Sequence, residues 1–223
     1  MSKKDELERY IEELDGMIRA KAVESLGESG DSGAVETLIL GLKDKNIRVR
    51  RSVIKALGDI GDLRAVEPLL LKLKPKSDVR KEAAKALGKI GDPRAVKPLI
   101  RRLKDLGYGV KENAIIALGE IGDPRAVNPL LREFKNGDVR TRYYAAEALG
   151  KIGDPRAFKP LMKSLSAPSL KDRNYEVFMN VAWALGELGD SSAVKPLQHL
   201  LYLSYGSLQE ICREAIAKIE RKP

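Results

Sequence analysis

The chain has 223 residues, with 41 Lys and Arg against 32 Asp and Glu, a formal net charge of +9, one histidine and one cysteine. A single cysteine excludes an internal disulfide, no apolar run reaches the roughly 18 residues of a membrane span, and the charged start MSKKDELERY lacks the apolar stretch of a signal peptide. The expectation is a cytoplasmic protein with no membrane association, and the positive balance raises acidic proteins and nucleic acid as partners.

In chain order, the first segment is the acidic one. Residues 1–30 hold 5 basic and 8 acidic side chains, so the remainder carries +12. A helix over about Asp5 to Leu14 is expected there as an end cap. It precedes a loose copy of a phrase that then recurs, SLGESGDSGAV from Ser25. The regular copies read ALGDIGDLRAV from Ala56, ALGKIGDPRAV from Ala86, ALGEIGDPRAV from Ala117 and ALGKIGDPRAF from Ala148, with ALGELGDSSAV from Ala184. Their leucines, Leu26, Leu57, Leu87, Leu118, Leu149 and Leu185, continue to Ile216 at spacings of 31, 30, 31, 31, 36 and 31 residues. A fixed period of this size predicts an all-α solenoid built from one helical hairpin, repeated about seven times. The hairpins fall at approximately 1–30, 31–61, 62–91, 92–122, 123–153, 154–189 and 190–223, in a single repeat domain.

The copy from Asp92 to Gly122 shows the unit. Asp92 is an N-cap and Pro93 the first helical residue. Val96, Leu99, Ile100 and Leu103 then recur at helical spacing. Pro98 falls inside this first helix and is expected to bend it, as are Pro68, Pro129, Pro160 and Pro196 in the other copies. A turn over Gly107–Gly109 leads to a second helix, about Val110 to Ile121. Gly122 ends that helix and Asp123 caps the next. Gly119 costs about 1 kcal/mol relative to alanine inside a helix, which predicts tight contact with a neighbour. The last helix is expected over about Ser207 to Glu220, so that both ends read as complete.

The ALGxIGD phrase, the proline of the first helix and the Val-Arg pairs Val49-Arg50 and Val79-Arg80 resemble HEAT-like repeats. The likeness is to the short phycobilisome-lyase type, within the armadillo-like helical superfamily; Val139-Arg140 departs from it by two places. The resemblance implies a right-handed α-α superhelix with the second helices on the concave face. Functionally it implies a non-catalytic scaffold or adaptor for protein–protein interaction, and by family association an accessory role in bilin or cofactor attachment.

Chemistry is sparse. One histidine, His199, and one cysteine, Cys212, cannot form a metal cluster by themselves, and no phosphate loop, dinucleotide fingerprint or nucleophile elbow occurs. No catalytic residue, metal or cofactor is expected. Cys212 aligns with Ala22, Val53, Ala83, Ala114, Ala145 and Val181, a packing column, and so reads as a buried thiol. His199 reads as a partly exposed helix residue.

A basic column, Arg19, Arg50, Arg80, Lys111 and Arg142, lies seven residues before successive anchors. It is either a basic ladder or a set of ion pairs, with Asp62, Asp92, Asp123 and Asp154 as candidate partners.

The exposed stripe of the second helices is placed nine, five and two residues before each anchor and two after it. Over all copies its charges nearly cancel, so the positive surplus falls on first helices and turns, at residues such as Arg101, Arg102, Arg132, Lys135, Lys159 and Lys163. A duplex-gripping groove needs cations on the gripping face, which ranks nucleic acid second among partners. The later copies replace charge with Asn113, Ile116, Tyr144, Asn180, Trp183 and Ile211. This is the expected site for a peptide or helix of another protein, the chain itself being a monomer. The competing reading is that the 36-residue spacing shifts the register and packs Trp183 and Phe178 under the loop around Ser166–Asn174.

Overall fold

The computed structural model describes residues 3–165 and 175–221, and among these it contains helices and turns only. Two compact units are formed, residues 1–117 and 118–223. The first holds α1 (Lys3–Glu28), α2 (Val35–Gly41), α3 (Ile47–Ile60), α4 (Val66–Lys72), α5 (Arg80–Ile90), α6 (Val96–Arg102) and most of α7 (Val110–Ile121). The second holds the end of α7, then α8 (Val127–Asn136), α9 (Val139–Ile152), α10 (Phe158–Ser164), α11 (Tyr175–Leu188), α12 (Val194–Leu203) and α13 (Ser207–Glu220).

Each unit is a stack of hairpins. In the first, α2 packs on α3 and α4 on α5, while α1, α3 and α5 stack side by side. In the second, α8 packs on α9, α10 on α11 and α12 on α13, with α9, α11 and α13 stacked. The fold is therefore the all-α hairpin solenoid that the period predicts. Leu57, Leu87, Leu118, Leu149 and Leu185 have no solvent exposure, and each contributes about 1.5–3 kcal/mol from burial.

The Gly-Asp element makes the link between hairpins. Gly122 takes the left-handed conformation at φ 73° and closes α7, a geometry that costs glycine nothing. The Asp123 carboxylate then accepts from the Arg125 N–H at 2.8 Å and caps a short 3-10 turn, Pro124–Ala126. Asp62, Asp92, Asp154 and Asp190 cap equivalent turns.

This turn corrects the expectation for the internal prolines. The first helix of each later hairpin starts anew after the 3-10 turn, at Val66, Val96, Val127, Phe158 or Val194. Pro68, Pro98, Pro129, Pro160 and Pro196 are thus each the third residue of an α-helix. The N–H groups of a first turn have no intrahelical acceptor, so the prolines there remove no helical bond and mark a start.

The first copy also departs from the expectation. A helix ending near Leu14 is not formed; α1 continues to Glu28 through Gly16. No separate first helix covers its C-terminal half, and the anchor Leu26 is 40% exposed where the other anchor leucines have none. Ala22, in the packing column, is exposed as well.

Candidate partner-binding face

The basic column resolves mostly into ion pairs, but not with the expected aspartates. Arg19 donates from Nε to Asp44 at 3.0 Å and also pairs with Asp15. Arg50 pairs with Asp78 and donates to the Asp44 carbonyl at 2.7 Å. Arg80 donates from Nε to Asp105 at 3.1 Å and to the Pro75 carbonyl at 2.6 Å. Arg50 and Arg80 thus tie the start of one second helix to the turn inside the following hairpin, and Arg19 does the same from the middle of α1. Burial raises the Asp44 and Asp105 carboxyls, but the Arg19 guanidinium and the Asn46 N–H hold Asp44, and the Gly107 N–H and the Arg80 guanidinium hold Asp105, below the usual carboxylate range. Arg142 differs: its guanidinium lies over the Phe134 ring at 6.0 Å, and its buried Nε has no hydrogen-bond partner.

Asp62, Asp92, Asp123 and Asp154 are taken instead by the arginine two residues later. Arg156 donates from Nε and a terminal nitrogen to Asp154, both at 2.8 Å, and reaches back to the Pro124 carbonyl at 2.8 Å. Arg64 does the same with Asp62 and the Ser32 carbonyl. These side-chain bonds, with the capped backbone N–H, bring the Asp62 and Asp154 carboxyls to about 2.

In the first unit the second-helix face is charged. A pocket of about 350 Å³ is lined by Arg51, Lys55, Lys81, Lys85 and Lys89 against Glu24 and Glu82. Much of this charge is internally paired: Arg51 with Glu82 at 3.1 Å, and Lys55 and Lys89 both with Asp59. Lys81 lies over the Tyr108 ring at 5.5 Å. Asn113 lines the same pocket, half-buried, and donates to the carbonyl of Gly109, just before its own helix, at 2.7 Å. Ile116 is half-buried nearby on α7. Arg51 and Lys81 lie off the stripe read from the sequence, and only the hairpin stacking brings them in.

In the second unit the face is aromatic. Trp183 and Ile211 line one shallow pocket of about 160 Å³ between α11 and α13, with Glu187, Glu214 and Lys218 at its edge. Lys218 and Glu187 pair at 2.6 Å and Glu214 adds a carboxylate, around the exposed parts of the indole and the isoleucine. Both are half-buried. The indole lies against Gly150 of α9, where a β-carbon would come within 2.6 Å of its ring. Asn180 donates to the Tyr143 carbonyl at 3.0 Å and so ties α11 to α9. Tyr144, half-buried, meets Tyr143 edge-to-face at 5.1 Å and carries the Arg140 guanidinium over its ring at 5.9 Å. Phe178 is a core residue, 3% exposed, whereas the loop around Ser166–Asn174 lies outside the described residues.

The remaining candidates fall where their columns put them. Cys212 has no exposure, and burial pushes its thiol up to about 11. His199 is exposed on α12. Among the described residues no group of three metal-ligating side chains occurs, and no helix is long and apolar enough to cross a membrane.

Comparison with known proteins places these elements. No curated protein matches the chain in sequence. Among solved structures, a subunit of the phycocyanin lyase CpcE–CpcF complex from Nostoc sp. PCC7120 superposes with a TM-score of 0.58 at 23% identity, covering 91% of this chain and 89% of that one. Importin beta gives a TM-score of 0.64 at 18% identity, over 89% of this chain and 34% of that one. An engineered protein gives 0.53 at 23% identity, over 83% and 96%. These likenesses establish the fold. A model described as HEAT repeats matches residues 5–73, 70–112 and 108–170, and one described as PBS lyase HEAT-like repeat matches residues 177–202. With capped hairpins and matching models over most of its length, the chain belongs to the HEAT-repeat family.

Proposed function

We propose that the protein is a non-catalytic interaction scaffold that captures a helix or extended segment of another protein on the second-helix face of residues 118–223. The observation that carries this reading is the joint exposure of Trp183 and Ile211 in one pocket at whose edge Lys218 and Glu187 pair with each other. Large half-buried apolar side chains inside a polar rim are the usual makings of a binding hot spot. Tyr144 and Asn180 extend the same face along α9 and α11. Asn113 and Ile116 belong to the first unit, where Asn113 lines the charged pocket.

The structural likeness to importin beta and to a phycocyanin lyase subunit supports a repeat fold used in macromolecular assembly. Nucleic acid remains the second reading. The pocket of the first unit has five cations, but three of them are paired with Glu82 or Asp59, fewer free charges than a phosphate-tracking groove uses.

The test is affinity purification from the native host, followed by mass spectrometry, with the wild type and with Trp183→Ala and Tyr144→Ala. A protein partner lost from both variants, with helicity retained and melting changed by only a few degrees, supports the scaffold. Substitutions that instead unfold the second unit would show the two rings to be core, and the reading would fall. A bilin attached to the purified protein would be visible in the same sample by its absorbance.

A further inference from the structure

A second surface of residues 118–223 has no part in the aromatic face. It is an open pocket of about 660 Å³ formed by α8 and α10, the first helices of two successive hairpins, together with the start of α9. Leu131, Phe134 and Pro160 make its apolar floor, with the Phe134 ring 5% exposed. Around that floor stand Arg132, Lys135, Lys159 and Lys163, all exposed, and the half-buried Arg142. Among the described residues no carboxylate lines the pocket.

The contrast with the rest of the chain is what gives this cluster meaning. Elsewhere most of the paired arginines are held by Asp-x-Arg clips or by hairpin-to-hairpin pairs, and several lysines pair with carboxylates of adjacent second helices. Here five cations share one rim, and among the described residues no acidic side chain lines it with them, so the charge lining the pocket is positive. A phosphodiester backbone would satisfy the charge but would leave the Leu131–Phe134–Pro160 floor in water. A peptide offering carboxylates around a leucine or aromatic side chain would satisfy both.

We propose that this pocket is a docking site for an acidic segment of a partner protein, with an apolar side chain seated on Phe134 and its carboxylates on Lys159, Lys163 and Arg132. The site is separate from the aromatic face, so the scaffold would hold two segments on the same unit.

The experiment is a selection of displayed random dodecapeptides on the full chain, followed by anisotropy with the selected peptides labelled with fluorescein. The expected consensus has at least two acids flanking a Leu, Phe or Trp. Affinity is expected to fall about tenfold or more in Lys159→Glu/Lys163→Glu, and comparably between low and high salt. Both lysines are exposed, so the melting temperature should be unchanged, and Trp183→Ala should bind as the wild type does. Four outcomes overturn the proposal. These are no enrichment, a consensus without acids, equal binding of a poly-glutamate peptide without the apolar residue, and tighter binding of single-stranded RNA lost on the same reversals. Selection that succeeds only after residues 166–174 are replaced by a Gly-Ser linker would make the chain's own segment the occupant and would also overturn it.

Discussion

Gly119 of α7 faces Ala148 of α9 so closely that a β-carbon on the glycine would lie 2.8 Å from the Ala148 Cα and 2.9 Å from its Cβ. The same approach joins Gly27 to Ala56, Gly58 to Ala86, Gly150 to Ala184 and Gly186 to Ala215. The glycine of one Ala-Leu-Gly is therefore received by the alanine of the next. The phrase recurs because it is self-complementary between copies, and the leucine between the two fills the space behind the contact.

Gly119→Ala should then destabilise the chain even though alanine is the better helix former. The propensity gain is about 1 kcal/mol, while overpacking against a backbone atom costs about 1–3 kcal/mol or more. Adding Ala148→Gly removes only the Cβ contact and leaves the Cα in place. Rescue in the double variant is expected to be incomplete, as read by denaturant unfolding; full rescue would show that the side chain alone sets the limit.

Removing Arg80 should weaken the tie between α5 and the turn that carries Asp105. The Asp105 side chain is only 8% exposed but keeps Arg102 at 3.2 Å and the Gly107 N–H at 2.8 Å. Arg80→Met should therefore cost about 1–2 kcal/mol, less than the 3–5 kcal/mol of stranding a buried charge outright. A thermal unfolding series with Arg102→Met and the double variant measures the sharing; a larger loss in the double than the two singles combined is expected.

Acid should loosen the links between hairpins. In the folded chain Asp62 and Asp154 titrate at about 2 against an ordinary 3.8, so their contribution is present above pH 4. It is lost as the pH falls from about 4 towards 2, where protonation releases Arg64 and Arg156 from the clips. The melting temperature should decline over that window, and the decline should be shallower in Asp154→Asn, which starts without the carboxylate.

Cys212 should be silent in the native protein. Its thiol has no exposure and is raised to about 11, so little thiolate exists at neutral pH. A disulfide exchange reagent should label it only in denaturant; rapid labelling of the folded chain would show that α13 opens readily.

Local rules written into adjacent residues were legible. The predicted bounds of α7 and α13 agree with the structure because Gly122 ends one and residues 207–220 hold a clean helical pattern. The start of the first helices was misread because the Asp-Pro-Arg-Ala segment spends three residues as a 3-10 turn, which apolar periodicity does not register. The continuity of α1 was missed because Gly16 alone does not stop a helix: its penalty of about 1 kcal/mol is spread over 26 residues that otherwise continue.

The partners of the basic column were hidden for a different reason. Asp44, Asp78 and Asp105 lie 25, 28 and 25 residues after their arginines, because the turns inside the hairpins vary in length and form no aligned column. The aromatic face was legible as a list of residues and not as a surface. What the Trp183 ring exposes depends on Gly150 beneath it and Ile211 beside it, each from another helix.

The glycine–alanine interlock also makes the hairpin the unit in which such a chain can grow or shrink. Duplicating or deleting one whole period leaves every glycine opposite an alanine, whereas a change of a few residues inside a second helix would misalign two contacts at once. Extra length is tolerated only between the phrases. The 36-residue interval between Leu149 and Leu185 keeps Ala148-Leu149-Gly150 and Ala184-Leu185-Gly186 intact at its two ends, and Gly150 still finds Ala184.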